Sequence, residues 1–160
     1  RCALDRRSGR FHVTDTAVAL APETEMIAYN ASNVRHVAPG LKAYFADLVA
    51  GADGPRGRDF NMRWLAAAVG ELHRIMRQGG VFLYPADSRP DYGSGHLRLL
   101  YEAFPIAFLM EQAGGAATDG DGPILDRTAE ALHQQTPLVF GSRAEVATVM
   151  DYLADETVAA

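Results

Sequence analysis

Residues 95–119 read GHLRLLYEAFPIAFLMEQAGGAATD, a polar turn, then a strand-like LRLLY, then a helix, then the start of another strand. Pro105 suits the first turn of a helix, where its missing N–H is no loss. The helix is therefore set from Phe104 to Gln112, with Gly114-Gly115 as its stop and AATD as the strand beyond. One acid, Glu102, stands at the junction of strand and helix, where the helix dipole favours negative charge.

The same alternation extends in both directions. Arg10–Thr14 and Met26–Tyr29 read as short strands on either side of the Pro22 turn region. After Pro39, Leu41, Tyr44, Phe45, Leu48 and Val49 recur at helical spacing until GADGPRGRD breaks the pattern. A second helix is expected from Asn61 to Arg77, its stripe formed by Met62, Leu65, Ala66, Val69, Leu72, His73 and Met76 and its stop by Gly79-Gly80. VFLYP is a buried strand ended by proline, ADSRPDYGSG a polar loop, LVFG a further strand, and Arg143 to Leu153 a final helix. Strands alternating with helices give an α/β layered domain.

Composition narrows the function classes. A chain of 160 residues, 48% hydrophobic, buries a core of one ordinary domain. The net charge of -5, with scattered basic residues, argues against a nucleic-acid partner. Cys2 is the single cysteine, which excludes an internal disulfide framework and fits a reducing compartment. No apolar run approaches the roughly 20 residues that span a bilayer, and no signal peptide is visible, so the expectation is a cytoplasmic protein without a membrane partner.

Few residues carry chemistry by spacing alone. Glu102, an oxygen ligand at a strand end, suits a hard cation such as Mg²⁺, although acids near helix starts more often only cap. DGDGPILD, residues 119–126, lacks the bidentate Glu of a calcium loop and reads as a solvated turn. The histidines form no HxxxH or HExxH pair, and no serine sits in a GxSxG elbow. Asn30, Ser32 and Asn33 follow a strand and suit either a phosphate or a turn. Arg56, Arg58 and Arg63 crowd the start of the expected second helix, as a phosphoryl site or a solvated face. Tyr84 and Tyr101 end strands, as ligand contacts or core residues.

GGVFLYPAD, LRLLYEAFPIAFLMEQAGGAATD and LHQQTPLVFGS, in that order, resemble the C-terminal half of class I fructose-1,6-bisphosphatase, within the superfamily of inositol monophosphatase. The likeness runs from Cys2-Ala-Leu-Asp to the last helix. YNASNVRHVAPGLKAYF and GPRGRDFNMRW are closer to the bacterial than to the animal forms, which usually carry tyrosine at the position of Asn33. The resemblance implies a three-layer α/β/α domain with a mixed sheet, the C-terminal half of the sugar phosphatase fold.

It also implies roles. Glu102 matches a metal-binding glutamate, and Arg98 an arginine close to substrate and metal. Asn30, Tyr84 and Trp64, the last at a tyrosine position, match residues around the distal phosphate and sugar. Arg63 matches an arginine that reaches that phosphate from a neighbouring subunit. His96 stands where the family commonly has a lysine that contacts the sugar phosphate, and Asn33 departs from the animal tyrosine. The DPxDGS-type motif of the family's N-terminal half does not occur here, so residues 1–160 are expected to form a single C-terminal substrate-binding domain without the N-terminal metal-binding domain.

The implied enzyme is Mg²⁺-dependent and converts fructose 1,6-bisphosphate to fructose 6-phosphate and phosphate, in gluconeogenesis or the Calvin cycle. Its partners are its own N-terminal domain and further copies in a dimer or tetramer. Sedoheptulose 1,7-bisphosphate as substrate, or a free-standing non-catalytic module for sugar-phosphate binding or oligomerisation, are the alternatives.

Overall fold

A computed structural model describes residues 1–158, with side chains through residue 155. Its centre is a mixed sheet of five strands in the order β4-β3-β5-β9-β7. These are β3 (Met26–Ala28), β4 (Asn61–Met62), β5 (Val81–Tyr84), β7 (Ala116–Thr118) and β9 (Leu138–Gly141). β3 runs parallel to both β4 and β5, whereas β9 is antiparallel to β5 and β7. Two small ribbons accompany it: β1 (Cys2–Asp5) with β2 (Arg10–Val13), and β6 (Leu97–Arg98) with β8 (Gln135–Thr136).

Period-two alternation sends each strand's side chains to two different cores. Ile27, Tyr29, Val81, Leu83 and Val139 face α1 (Pro39–Ala50) and α4 (Arg143–Val158), where Tyr44, Phe45, Leu48 and Val149 meet them. Ala28, Phe82, Phe140 and Ala117 face α2 (Ala68–Gln78) and α3 (Phe104–Gln112), against Ile75, Ile106 and Met110. The result is the expected α/β/α three-layer arrangement.

Three elements differ from the sequence reading. The second helix starts at Ala68, because Asn61 and Arg63 donate their backbone N–H groups to Glu25 and Ile27 and thereby extend the sheet. Its buried face is also turned: Glu71 and Ile75 are fully buried, while Met62, Leu65, Val69 and His73 face outward. Glu71 has company in the core, since its carboxylate accepts the Leu65 N–H at 2.6 Å and pairs with Arg74 at 2.8 Å. A buried acid supplied with this many donors is tolerated where an unpaired one is not.

The stretch LRLLY is not one strand. Only Leu97–Arg98 pairs, and Leu99–Ala103 winds as a π-helical turn that runs directly into α3. Strand alternation is broken there, because Leu99 and Ala103 are buried while Tyr101 between them is 48% exposed. The final helix extends to Val158 rather than stopping at Leu153. The segment read as a solvated turn at residues 119–126 is partly structured: Ile124 is fully buried, and Asp119 pairs with Arg127 at 2.6 Å. Burial pushes the Asp119 carboxyl up, but the Arg127 guanidinium and the N–H groups of Asp121 and Gly122 more than offset it and hold it low.

Arg56 and Arg58 serve the fold. Glu145, 1% exposed in the first turn of α4, accepts both arms of Arg56 at 3.0 and 2.8 Å, Arg58 at 3.3 Å and the Tyr44 hydroxyl at 2.8 Å. Burial and the Glu145 charge hold the Tyr44 hydroxyl well above its ordinary pKa. This network fastens the loop after α1 to α4, so these two arginines are unavailable to a phosphoryl site. Nearby, the Tyr152 hydroxyl donates to Asp47; burial and that bond push its pKa up to about 12. Glu145→Gln is expected to cost about 3–5 kcal/mol in urea unfolding, since it strands a buried guanidinium. Adding Arg56→Met should recover most of that loss.

Candidate functional site

Three parallel strands end on one edge of the sheet, and Asn30, Arg63, Trp64 and Tyr84 stand at or just beyond it. Asn30 follows β3, Arg63 and Trp64 follow β4, and Tyr84 closes β5. Tyr84 is in register with Leu138, so Thr136 and Pro137 reach the same edge, and β8 there pairs with the β6 strand of Arg98. Such a carboxyl edge, where the chain crosses from strand to helix, is the usual position of an α/β binding site.

Beyond β3 the chain turns into a short 3₁₀ segment, Ala31–His36. Asn30 caps it, its Oδ1 accepting from the Ser32 N–H at 3.2 Å and the Ser32 hydroxyl at 2.6 Å. Its side-chain NH₂ then remains for an anionic oxygen. Asn33 is spent differently: its Oδ1 accepts from Arg89 Nη1 at 3.3 Å. Asn30, Asn33, Tyr84 and Arg89 line one crevice of about 20 Å³.

Trp64 lies flat on Phe82, with ring centroids 5.7 Å apart and planes 8° apart, and Tyr84 follows Phe82 at 6.4 Å. Half of Trp64 therefore serves the core, and its outer part borders the edge. Burial raises the Tyr84 hydroxyl pKa, so it is a neutral donor at physiological pH. Tyr101 does not end a strand; it sits in the π turn, where its hydroxyl meets His133 Nδ1 at 3.0 Å.

His96, Arg98 and Glu102 are joined through the β6 backbone. Arg98 Nη1 donates to the His96 carbonyl at 2.9 Å, and the Arg98 N–H donates to Glu102 Oε2 at 2.6 Å. Glu102 thus lies inside the π turn rather than at the start of the helix, because the winding begins at Leu99, and it reaches back to cap that start. Its second oxygen has no hydrogen-bond partner among the described residues. One free carboxylate oxygen on a half-buried side chain fits a hard divalent cation as a single arm. Among the described residues no three of His, Cys, Asp and Glu converge on a metal position, so other arms would have to come from elsewhere.

Arg63 stands apart. It is exposed just beyond edge strand β4, and its guanidinium donates to the Met62 carbonyl at 3.1 Å.

Three side chains at this edge escaped the sequence reading. Asp87, with its side chain 4% exposed, grips Arg89 through Nε at 3.0 Å and Nη2 at 2.6 Å. Arg89 lies 4.0 Å over the ring of Tyr92, which stacks on His96 at 5.0 Å. The signal was the alternation of Asp, Arg, Asp and Tyr in a loop that composition alone marks as polar. The largest described cavity, about 690 Å³, is elsewhere, between residues 15–19 and the outer face of α2, with Val69, Leu72, His73 and Leu109 in its wall. That wall is mainly apolar, with Arg1, Asp15, His73 and Arg77 as its polar members.

The hydrogen bonds from Arg89 hold the Asp87 carboxyl below its ordinary value, with His36 adding in the same direction. The Asp87–Arg89 contribution is therefore complete above the unfolded value of about 3.9 and lost as pH falls through the lower folded pKa. Tyr92 ring signals should report the loop loosening in that acid range, and Asp87→Asn should abolish the transition.

Residues 20–154 match the family described as the C-terminal domain of fructose-1,6-bisphosphatase. The class 1 fructose-1,6-bisphosphatase of Brucella suis is 54% identical over 149 residues, covering 93% of this chain and 44% of that protein. One from Cereibacter sphaeroides is 55% identical over 149 residues, covering 93% of this chain and 45% of its own length. The crystal structure of Leishmania major fructose-1,6-bisphosphatase in holo form superposes with a TM-score of 0.87 at 35% identity, over 94% of this chain and 44% of that one. The chain spans less than half the length of these relatives.

Proposed function

We infer that the full-length protein hydrolyses the 1-phosphate of fructose 1,6-bisphosphate, because this chain belongs to the fructose-1,6-bisphosphatase family and forms its C-terminal domain. The observation that carries the reading is the gathering of Asn30, Tyr84, His96, Arg98 and Glu102 on one sheet edge, each with donor or acceptor capacity left over. Glu102 offers Oε1 as one arm for Mg²⁺, the remaining arms coming from the N-terminal half. When bound, Mg²⁺ supplies Lewis acidity at the 1-phosphate.

The residues of this chain bind and orient. The NH₂ of Asn30 and the hydroxyl of Tyr84 donate to the distal 6-phosphate or the sugar, and Trp64 walls the sugar's side. Arg98 places positive charge beside Glu102, where the reacting phosphate lies. Asn33, with its oxygen already engaged, turns its NH₂ toward the distal phosphate. His96 stands beside the sugar phosphate in the place of the family's lysine.

The partners follow from the same reading. Leu4, Phe11 and Val13 on the β1–β2 ribbon are 50%, 73% and 66% exposed, and Val69 on α2 is 75% exposed. These apolar side chains suit a covering domain, which we assign to the N-terminal half. Exposed Arg63 on an edge strand suits a site on a neighbouring copy in a dimer or tetramer. We propose a cytoplasmic enzyme of gluconeogenesis or the Calvin cycle.

Glu102→Gln in the full-length enzyme tests the assignment. The shape and the cap to Arg98 survive, but the charge does not, so Mg²⁺ affinity should fall and kcat should drop by roughly 10²-fold or more. Fructose 6-phosphate binding, followed by calorimetry, should persist. Ordinary Mg²⁺ dependence in this variant would refute the metal role.

Arg63 invites a complementation test. Mixing full-length Arg63→Ala and Glu102→Gln subunits gives hybrid dimers with one doubly defective and one intact site, if Arg63 crosses the interface. With random pairing, roughly a quarter of all sites should be restored. Mixtures that form hybrids by native mass measurement yet recover no activity would place Arg63 in its own subunit's site.

A further inference from the structure

The loop between β5 and β6 holds a connected row of groups to which the reaction above gives no part. Asp87 fixes Arg89 through two nitrogens, and the third guanidinium nitrogen ties Asn33. With Nε and both terminal nitrogens engaged, the guanidinium has a set plane. Tyr92 lies 4.0 Å beneath it, within cation–π range. The imidazole of His96 is then within stacking range of two rings: Tyr92 at 5.0 Å and 7°, and Tyr84 at 5.9 Å and 22°.

An exposed histidine ordinarily rotates freely about its second side-chain torsion. Here the ring is parallel to both neighbours. The backbone below it is equally constrained: Gly95 has a φ of +76°, and a Cβ there would come within 2.1 Å of Pro137 N. Gly95 also donates its N–H to the Tyr92 carbonyl at 3.0 Å, closing the loop under the rings.

We propose that Asp87, Arg89 and Tyr92 are positioning residues that hold the His96 imidazole, and through Arg89 the Asn33 amide, in fixed orientation toward the sugar phosphate. The proposal rests on the reading of His96 as a substrate contact. A preorganised ring costs less to order on binding than a free one. The loop therefore sets substrate affinity and leaves the phosphoryl chemistry at Glu102 alone. Arg89, held through Nε, Nη1 and Nη2 and with its face on Tyr92, acts through these two residues.

The test uses the full-length enzyme with Mg²⁺ and reads both kinetics and the His96 ring proton by NMR. His96→Ala should raise KM for fructose 1,6-bisphosphate. Tyr92→Ala should raise KM roughly 2- to 10-fold, the worth of one stacking contact, with kcat held within about twofold. Tyr92→Phe keeps the stack and should behave as the parent, which separates loss of positioning from loss of folding. The double variant Tyr92→Ala/His96→Ala should be no worse than His96→Ala alone.

In the NMR measurement, the His96 ring proton should move downfield in Tyr92→Ala and stay in place in Tyr92→Phe, because the tyrosine ring current is lost only in the first. Additive kinetic effects, or an unmoved ring proton in Tyr92→Ala, would overturn the proposal. If the ring proton moves but His96→Ala leaves KM unchanged, the reading of His96 as a substrate contact fails and takes the positioning role with it.

Discussion

Phe82 is the point from which both the packing and the site extend. It lies in the central strand, 1% exposed, with Phe140 at 5.0 Å on one side and Trp64 at 5.7 Å on another. Two residues along, on the same sheet face, Tyr84 continues the row into the site, and His96 and Tyr92 follow. Rings in this arrangement are held by the close packing of the core, so the surface groups at the end inherit its rigidity. A cavity at Phe82 would therefore loosen a binding surface as well as cost stability.

Charge placement completes what the rings begin. Glu145 binds the loop after α1 to α4 through two arginines, and Glu71 binds Leu65 and Arg74 beside the segment after β4 that carries Trp64. Both acids are almost wholly buried, and each faces only donors. Asp87 repeats the device at the rim with Arg89. In each case a carboxylate immobilises irregular backbone that hydrophobic burial alone would leave loose, because loops have few apolar side chains to bury.

Much of this was legible in the residues. Strong helical periodicity after Pro39, the run VFLY, and the Pro105 start with its double-glycine stop gave α1, β5 and α3 their positions. The second helix misled because its apolar residues are partly a surface: Val69 and His73 continue the stripe but face outward, whereas the buried position is an acid, Glu71. Periodicity scores polarity and cannot know that Arg74 and a backbone N–H will satisfy that acid. LRLLY misled for a related reason, since its apolar run is consistent with a strand or a helical turn, and in the π turn Leu100 and Tyr101 face outward between the buried Leu99 and Ala103. At the site, the resemblance supplied the residues on strand ends. The Asp87–Arg89–Tyr92 row lies in a loop, where contacts depend on the folded path.

On the reading proposed above, Glu102 meets two demands with one side chain. Read as a cap, it satisfies the Arg98 N–H with one oxygen at 2.6 Å; read as a metal ligand, it needs a lone pair in a fixed direction. The wider π turn lets both hold. An α-helical capping box would join the first position to the third residue of the helix, whereas here the bond runs from Arg98 to the fourth residue of the turn. Capping locks the carboxylate's rotation, so the second oxygen is directed before any cation arrives. Arg98 feels the same constraint from the other side, because its backbone is the capped group and its guanidinium bonds the His96 carbonyl. Glu102, Arg98 and the His96 backbone are thus tied together by one short stretch of chain.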